Sequence, residues 1–350
     1  MRRTLIGVTG GLFGFALACE LLFRMLPVST ATLTDYHIDP AILGYPPNHE
    51  WRVATGWDLR NSQPMRSNNY GFVSGSDFTF NPRAVALVGD SYVESSMLPS
   101  IDRPGQQLER LLANGRPVFA FGSPGTALLD YAERIRLAYH ALGVRDFVVL
   151  MEAADLRQSV CGADFVQGEC LDLTTNTVLS KRLPGPSAIK QVMRHSAVAQ
   201  YVGGQLKVEP TRLMRGLFAR SVPQHQDEKR LTRSRQSLDT ITTASAQRMV
   251  DAVTDAFLAR MEVDAPGARL VFVVDGQRGG GESPPTTLAV ERSRFIARAR
   301  HLGLIVIDAE PLYAQHRSQS TLALAVGPYD NHLNTLGVRL VMAAAAGAIR

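Results

Sequence analysis

Ser91 and His332 are the residues of this 350-residue chain whose types and settings could together do nucleophilic chemistry. Ser91 closes the tripeptide Gly89-Asp90-Ser91, directly behind the apolar run Ala84 to Val88. Its hydroxyl therefore stands where a buried strand gives way to a turn. His332 lies in Tyr329-Asp330-Asn331-His332-Leu333-Asn334, just ahead of the last apolar helical pattern. An imidazole can take the proton of a serine hydroxyl, and Asp330, two residues earlier, can orient that imidazole. Backbone N–H groups at a strand-to-helix turn can receive the resulting oxyanion. Either half alone is ordinary, since Gly-Asp-Ser usually makes a turn with a capping serine. Their placement at the two ends of one domain is what joins them.

The elements that must position these residues read as alternating strands and helices. Short, fully apolar runs occur at Ala84–Val88, Pro117–Phe121, Phe147–Met151, Leu270–Val274 and Leu304–Ile307. Helical spacing runs from Pro104 to Ala113, through Leu128, Ala132, Ile135, Tyr139 and Leu142, and through Ala246, Met249, Val250, Val253, Phe257 and Met261. A last helix is capped by Asn334 and continues through Ile349. Strands apolar on both faces, alternating with helices, predict an α/β domain with a parallel five-stranded sheet flanked by helices over residues 81–350. Ligands of such sheets bind beyond the carboxyl ends of the strands, which is where Ser91 falls. Residues 31–80 read as an irregular extension. The stretch from about 171 to 245 is too long for a loop and reads as a mostly helical insertion, with an arginine-rich part near Gln224 to Gln236.

Residues 1–30 set the compartment. Met1-Arg2-Arg3 precedes sixteen uncharged residues, Thr4 to Cys19, and the apolar character continues to Leu26 past Glu20 and Arg24. That length suits a span of about 20 residues, with the basic end kept in the cytoplasm and everything after it outside. A cleaved signal peptide ending at Ala16-Leu17-Ala18 is the rival reading, with lipoprotein processing at Cys19 a weaker one and a buried core helix the plainest. Cys161 and Cys170 flank the eight residues Gly162 to Glu169, and in an oxidising compartment this spacing favours a disulfide.

The composition excludes other classes. With 45% hydrophobic and 20% charged residues the chain is neither disordered nor polytopic. The net charge of +5 comes with no Lys/Arg block, so nucleic acid is not an expected partner. Seven of the eight histidines, all but His332, are scattered without ligand spacing, and no metal or cofactor is expected. Gly279-Gly280-Gly281 lacks the lysine and the serine or threonine of a phosphate-binding loop.

Taken together, these blocks resemble the SGNH/GDSL hydrolase superfamily over roughly residues 35–350, apart from the insertion. Val88-Gly89-Asp90-Ser91-Tyr92-Val93-Glu94-Ser95 is similar to the family's first block, which makes Ser91 the nucleophile. Phe121-Gly122-Ser123-Pro124-Gly125 is similar to the second, in which the N–H of Gly125 joins that of Ser91 in the oxyanion hole. Asp330-Asn331-His332 matches the D-x-H spelling of the last block. Ile42-Leu43-Gly44-Tyr45 and Asn68-Asn69-Tyr70-Gly71-Phe72 are similar to segments of membrane-anchored bacterial members. The third block departs: Glu152-Ala153-Ala154-Asp155 puts Ala154 where the family has an oxyanion-binding asparagine.

The resemblance implies a flavodoxin-like sheet and a serine esterase or O-acyltransferase acting through a Ser-His-Asp triad and an acyl-enzyme. Its expected substrate is a carbohydrate or other acyl ester, with an acetylated envelope or exported polysaccharide foremost. A membrane protein could serve as acyl donor. The expected setting is the inner membrane, held by the N-terminal helix, with the catalytic domain in the periplasm, or export after cleavage. The competing expectation is a catalytically weakened domain that binds polysaccharide or scaffolds an assembly, with Ala154 as its mark.

Overall fold

The computed structural model describes residues 2–59, 61–112, 115–163, 168–180, 185, 188–206, 243–278, 286–327 and 330–349. The Gln224–Gln236 stretch, Tyr329 and Gly279-Gly280-Gly281 lie outside them. The chain divides into two compact units, one of Met1–Leu33, Glu50–Arg66 and Pro184–Thr232, the other of Thr34–His49, Ser67–Leu183 and Arg233–Arg350.

In the first unit, Arg2–Met25 is one helix, and its stretch Ile6–Met25 is long and apolar enough to cross a membrane. Phe13 and Phe15 are 73% and 70% exposed, so the reading of this segment as a buried core helix is overturned. Glu20, the acid inside the apolar run, is fully engaged. Its carboxylate accepts from Ser196 Oγ (2.8 Å) and the N–H groups of Ala197 (2.9 Å) and Val198 (3.2 Å), and it pairs with Arg24. The same unit holds an antiparallel hairpin, Glu50–Thr55 with Asn61–Arg66.

The second unit is built on a five-stranded parallel sheet, in chain order β1 (Val85–Gly89), β2 (Val118–Gly122), β3 (Asp146–Met151), β4 (Arg269–Val274) and β5 (Ile305–Asp308). Their order across the sheet is β5-β4-β3-β1-β2. The helices of this unit are α1 (Ser91–Glu94), α2 (Pro104–Leu111), α3 (Leu128–Leu142), α4 (Ala154–Gln158), α5 (Thr243–Asp264), α6 (Thr286–His301), α7 (Ala309–Gln319) and α8 (Thr335–Ile349).

The strands are apolar along their middles because each face is covered; their charged residues, Asp146, Arg269 and Asp308, stand only at strand ends. Ala86, Val88, Phe119, Phe121, Phe147, Val149, Phe272 and Val274 pack against α3, α5 and α6. Their neighbours in sequence, Val85, Leu87, Val118, Ala120, Val148, Leu150, Val271 and Val273, pack against α1, α2, α7 and α8. This two-residue alternation is the pleat of a strand read as two cores.

Two expectations need correction. Residues 31–80 are not irregular throughout: besides the hairpin above, Asp35–Asp39 pairs with Ile42–Gly44 in the second unit. Strands of three to six residues, of which only Ile42–Gly44 is buried throughout, carry too little apolar sequence to stand out. The segment from 171 also opens as a β-hairpin rather than a helix, Glu169–Asp172 with Thr177–Ser180. Helices follow it at Ala188–Arg194 and Ala197–Ala199. Cys161 and Cys170 are disulfide-bonded, with Cα atoms 4.9 Å apart, and Cys19 is free.

Candidate active site

Ser91 opens α1 immediately beyond β1, and Asp90 shapes the turn that presents it. The Asp90 Oδ1 accepts the Tyr92 N–H at 2.9 Å, while Oδ2 accepts from the Ser91 hydroxyl at 3.3 Å. Burial raises the pKa of Asp90, opposed by that N–H and by the charges of His332 and Arg134. Two glycines let the neighbouring strand and loop come close. A Cβ on Gly122, at the end of β2, would meet the Glu94 nitrogen of α1 at 2.4 Å. Gly125 has φ of +71°, a conformation that side chains disfavour. Its loop is tied to the nucleophile strand by Ser123 N–H donating to the Gly89 carbonyl at 3.3 Å. Beneath them Arg134, entirely buried on α3, donates to the same carbonyl at 2.8 Å.

His332 arrives from the far end of the chain on the strand Asp330–Leu333, which pairs antiparallel with Ala325–Gly327. Buried Leu333 fixes the strand on one core, and Asn334 caps α8 by accepting the Gly337 N–H at 3.0 Å. The imidazole Nδ1 lies 2.6 Å from Asp330 Oδ1, and Nε2 lies 2.8 Å from Ser91 Oγ. With the Nδ1 proton directed at a carboxylate, Nε2 presents its lone pair to the serine hydroxyl. The Ser91 proton has one short acceptor, His332, and one longer one, Asp90. This arrangement can abstract the proton as Oγ attacks an acyl carbon.

The structure thus brings Ser91, His332 and Asp330 together, places Gly125 in the loop beside β1, and places Ala154 at the start of α4. Ala154 carries no side-chain donor. Among the described residues no group of three or more His, Cys, Asp or Glu side chains is disposed to hold a metal.

A second polar layer was not read from the sequence. The Tyr92 ring lies 4.8 Å from the His332 ring, centre to centre. Arg278 donates to the Tyr92 hydroxyl at 2.7 Å and pairs with Asp275, which also accepts the Tyr313 hydroxyl at 2.7 Å. Burial works to lower the pKa of Arg278, but the Asp275 charge and the hydrogen bonds to Asp275 and Tyr92 raise it by more, so it stays charged. Asp275 directly follows β4, and Glu152 directly follows β3. The rule that places ligands beyond strand ends was the signal that could have marked both. Burial, reinforced by Asp90 and Asp275, lifts Glu152 to about 7.

No family model matches the chain, and no curated protein does. Among solved structures it is similar to LAE5, an alpha/beta hydrolase enzyme from the metagenome of Lake Arreo, at 11% identity over 80% of this chain and 98% of that one, with a TM-score of 0.41. It is similar to a member of the lipolytic G-D-S-L family from Veillonella parvula at 11% identity, 76% and 97% coverage and a TM-score of 0.39. It is also similar to Est24, a carbohydrate acetylesterase from Sinorhizobium meliloti, at 9% identity, 76% and 98% coverage and a TM-score of 0.39. A parallel sheet of order β5-β4-β3-β1-β2 flanked by helices, with Gly89-Asp90-Ser91 beyond its first strand and Asp330-Asn331-His332 before its last helix, is the α/β architecture that the sequence predicts.

Proposed function

We propose that this chain is an extracytoplasmic serine esterase or O-acyltransferase that acts on acyl groups, acetyl foremost, of an envelope or exported polysaccharide. The observation that carries the reading is the continuous contact from Ser91 Oγ through both ring nitrogens of His332 to Asp330. In the reaction, Oγ bonds to the acyl carbon as its proton passes to Nε2, and the carbonyl electron pair moves onto oxygen. The oxyanion then collapses, the ester C–O bond breaks, and Nε2 returns the proton to the departing alcohol. Water or a sugar hydroxyl, deprotonated in turn by His332, resolves the acyl-enzyme. Hydrolysis and transfer differ in that last acceptor alone. In the transfer version a membrane protein supplies the acyl group.

The location rests on the N-terminal helix. Arg2 and Arg3 hold its start in the cytoplasm, and the apolar, exposed stretch to Met25 carries the following chain across the inner membrane. Envelope polysaccharide is an acylated material on that side, so location and family resemblance, as an analogy rather than a reading of the site, support carbohydrate as substrate.

The test is covalent labelling of the full-length protein in detergent by a fluorophosphonate, with Ser91→Ala as control. A single adduct on Ser91, absent from the variant, is expected. An unlabelled Ser91 in folded protein would sink the enzyme reading in favour of a polysaccharide-binding domain.

A further inference from the structure

This chain has Ala154 where the third block of the family it resembles has its oxyanion-binding asparagine, and a carboxyl, that of Glu152, stands two residues before it. The sheet register fixes where that carboxyl stands. Gly89 is level with Leu150 on β3, and Met151 is level with Val274 on β4. The Asp275 N–H donates to the Met151 carbonyl at 2.9 Å. Counting on one step, the Glu152 backbone stands beyond β3 at the level of Ser91 beyond β1 and of Asp275 beyond β4. Its backbone is pinned there, because its N–H donates to Asp155 Oδ2 at 2.8 Å and that carboxyl is held in turn by the Tyr131 hydroxyl at 3.1 Å.

The Glu152 side chain is only partly exposed and its carboxyl has no hydrogen-bond partner among the described residues. A carboxyl set at the edge of a reactive serine and left unengaged is a group waiting for a ligand atom. The charged and titratable groups facing it are Asp90 beyond β1, Tyr92 on α1, Asp155 on α4, Asp275 and Arg278 beyond β4, and His332 on its hairpin. Asp90 and Asp275 disfavour a third negative charge, and burial adds to them. Arg278 is already committed to Asp275 and Tyr92 and offsets them only in part.

We propose that Glu152 is a catalytic residue that, in its protonated form, donates a hydrogen bond to the acyl carbonyl oxygen as Ser91 adds to the carbonyl carbon, taking the part that Ala154 leaves unfilled. This rests on the esterase or acyltransferase reading above. A neutral carboxyl is a better donor than an amide, and charge growing on the carbonyl oxygen strengthens the bond in the transition state. The ionised form acts oppositely, since a carboxylate facing an oxyanion repels it. The lift of Glu152 to about 7 keeps the donor form present in mildly acid to neutral solution and removes it above that range. The chain's hole is therefore gated by pH in a way that an asparagine hole is not.

The experiment is the pH dependence of 4-nitrophenyl acetate turnover by the full-length protein, read above the Ser91→Ala background, for wild type, Glu152→Gln and Glu152→Ala. Fluorophosphonate labelling rates of Ser91 are measured in parallel, because the phosphonyl oxygen sits where the oxyanion would. In wild type kcat/KM falls roughly tenfold per pH unit above about 7. Glu152→Gln, which keeps a weaker donor, runs within about tenfold of wild type at pH 6 and loses the alkaline fall. Glu152→Ala drops in kcat by roughly 10²–10³ with a smaller change in KM. An alkaline fall that persists in Glu152→Gln, a Glu152→Ala rate within threefold of wild type, or an effect confined to KM overturns the proposal while leaving the serine-enzyme reading intact. No turnover and no labelling above the Ser91→Ala background overturns both.

Discussion

A single oxygen of Asp330, Oδ1, accepts both the backbone N–H of His332 at 2.9 Å and the ring Nδ1–H of the same residue at 2.6 Å. One acceptor thereby fixes the backbone turn and the ring together. This is how a spacing of two residues, shorter than the commoner three, still aims Nε2 at Ser91.

Asp330→Asn tests that double role. The amide oxygen can still accept the backbone N–H, but it orients the ring without stabilising the imidazolium that forms. Ester turnover should fall by about 10³–10⁴ while the melting temperature moves little. Stopped turnover with a large loss of melting temperature would instead mark Asp330 as a structural residue.

Ala154→Asn places an amide donor at the start of α4. A donor there acts on charge present only in the transition state, so kcat on 4-nitrophenyl acetate should rise above pH 7, where Glu152 no longer donates, with little change in KM. The gain should stay below the roughly 10²–10³ that removal of such a donor costs elsewhere. If turnover falls in a folded variant, that space already holds another group.

Glu94, fully buried on α1, receives the Tyr45 hydroxyl at 2.6 Å, and burial lifts it from an ordinary 4.5 to about 7. Unfolded, it gives up its proton near 4.5; folded, it keeps it to about 7. Between those values the folded state binds more protons, so the contribution to stability is full below 4.5 and is lost as pH rises through 7. The loss is on the order of 3 kcal/mol. Glu94→Gln should flatten the fall of urea midpoint between pH 4.5 and 7 relative to wild type. An unchanged slope would mean that Glu94 is not the titrating group.

Cys161 and Cys170 close a short loop against the hairpin, where the Cys161 N–H donates to the Leu171 carbonyl at 3.0 Å. Cys170→Ser should cost about 2–3 kcal/mol by loop entropy and lower the melting temperature by roughly 4–10 °C. Equal melting of wild type and variant, both under oxidising conditions, would count against that contribution.

The legible parts of the sequence were those with one dominant cause. The strands of the sheet stood out because burial on both faces leaves their middle positions apolar, and the helix Leu128–Leu142 ended as expected at Gly143, which adopts the left-handed conformation. The helices Thr286–His301 and Ala309–Gln319 were missed because Glu291, Arg292, Arg294, Arg298 and their neighbours mask the apolar stripe with charge. Arg134 was missed for the opposite reason. It sits on an apolar helical face, and only the fold reveals carbonyl and carboxyl groups there to receive it. At the site, Ser91 and His332 were visible through their blocks. Glu152 was visible only as the start of the third block, and Asp275 and Arg278 were not singled out, since nothing in one sequence says which strands stand side by side.

Ser91 and His332 meet across 241 positions of chain. The serine and its turn are made early, on the first strand of the sheet, whereas its base enters after the fifth. During synthesis from the N-terminus, the hydroxyl therefore stays an ordinary alcohol until β4, β5 and the hairpin strand Asp330–Leu333 are in place. Assembly itself works as a safety catch. A chain interrupted between residues 95 and 330 holds the nucleophile turn and no means of firing it.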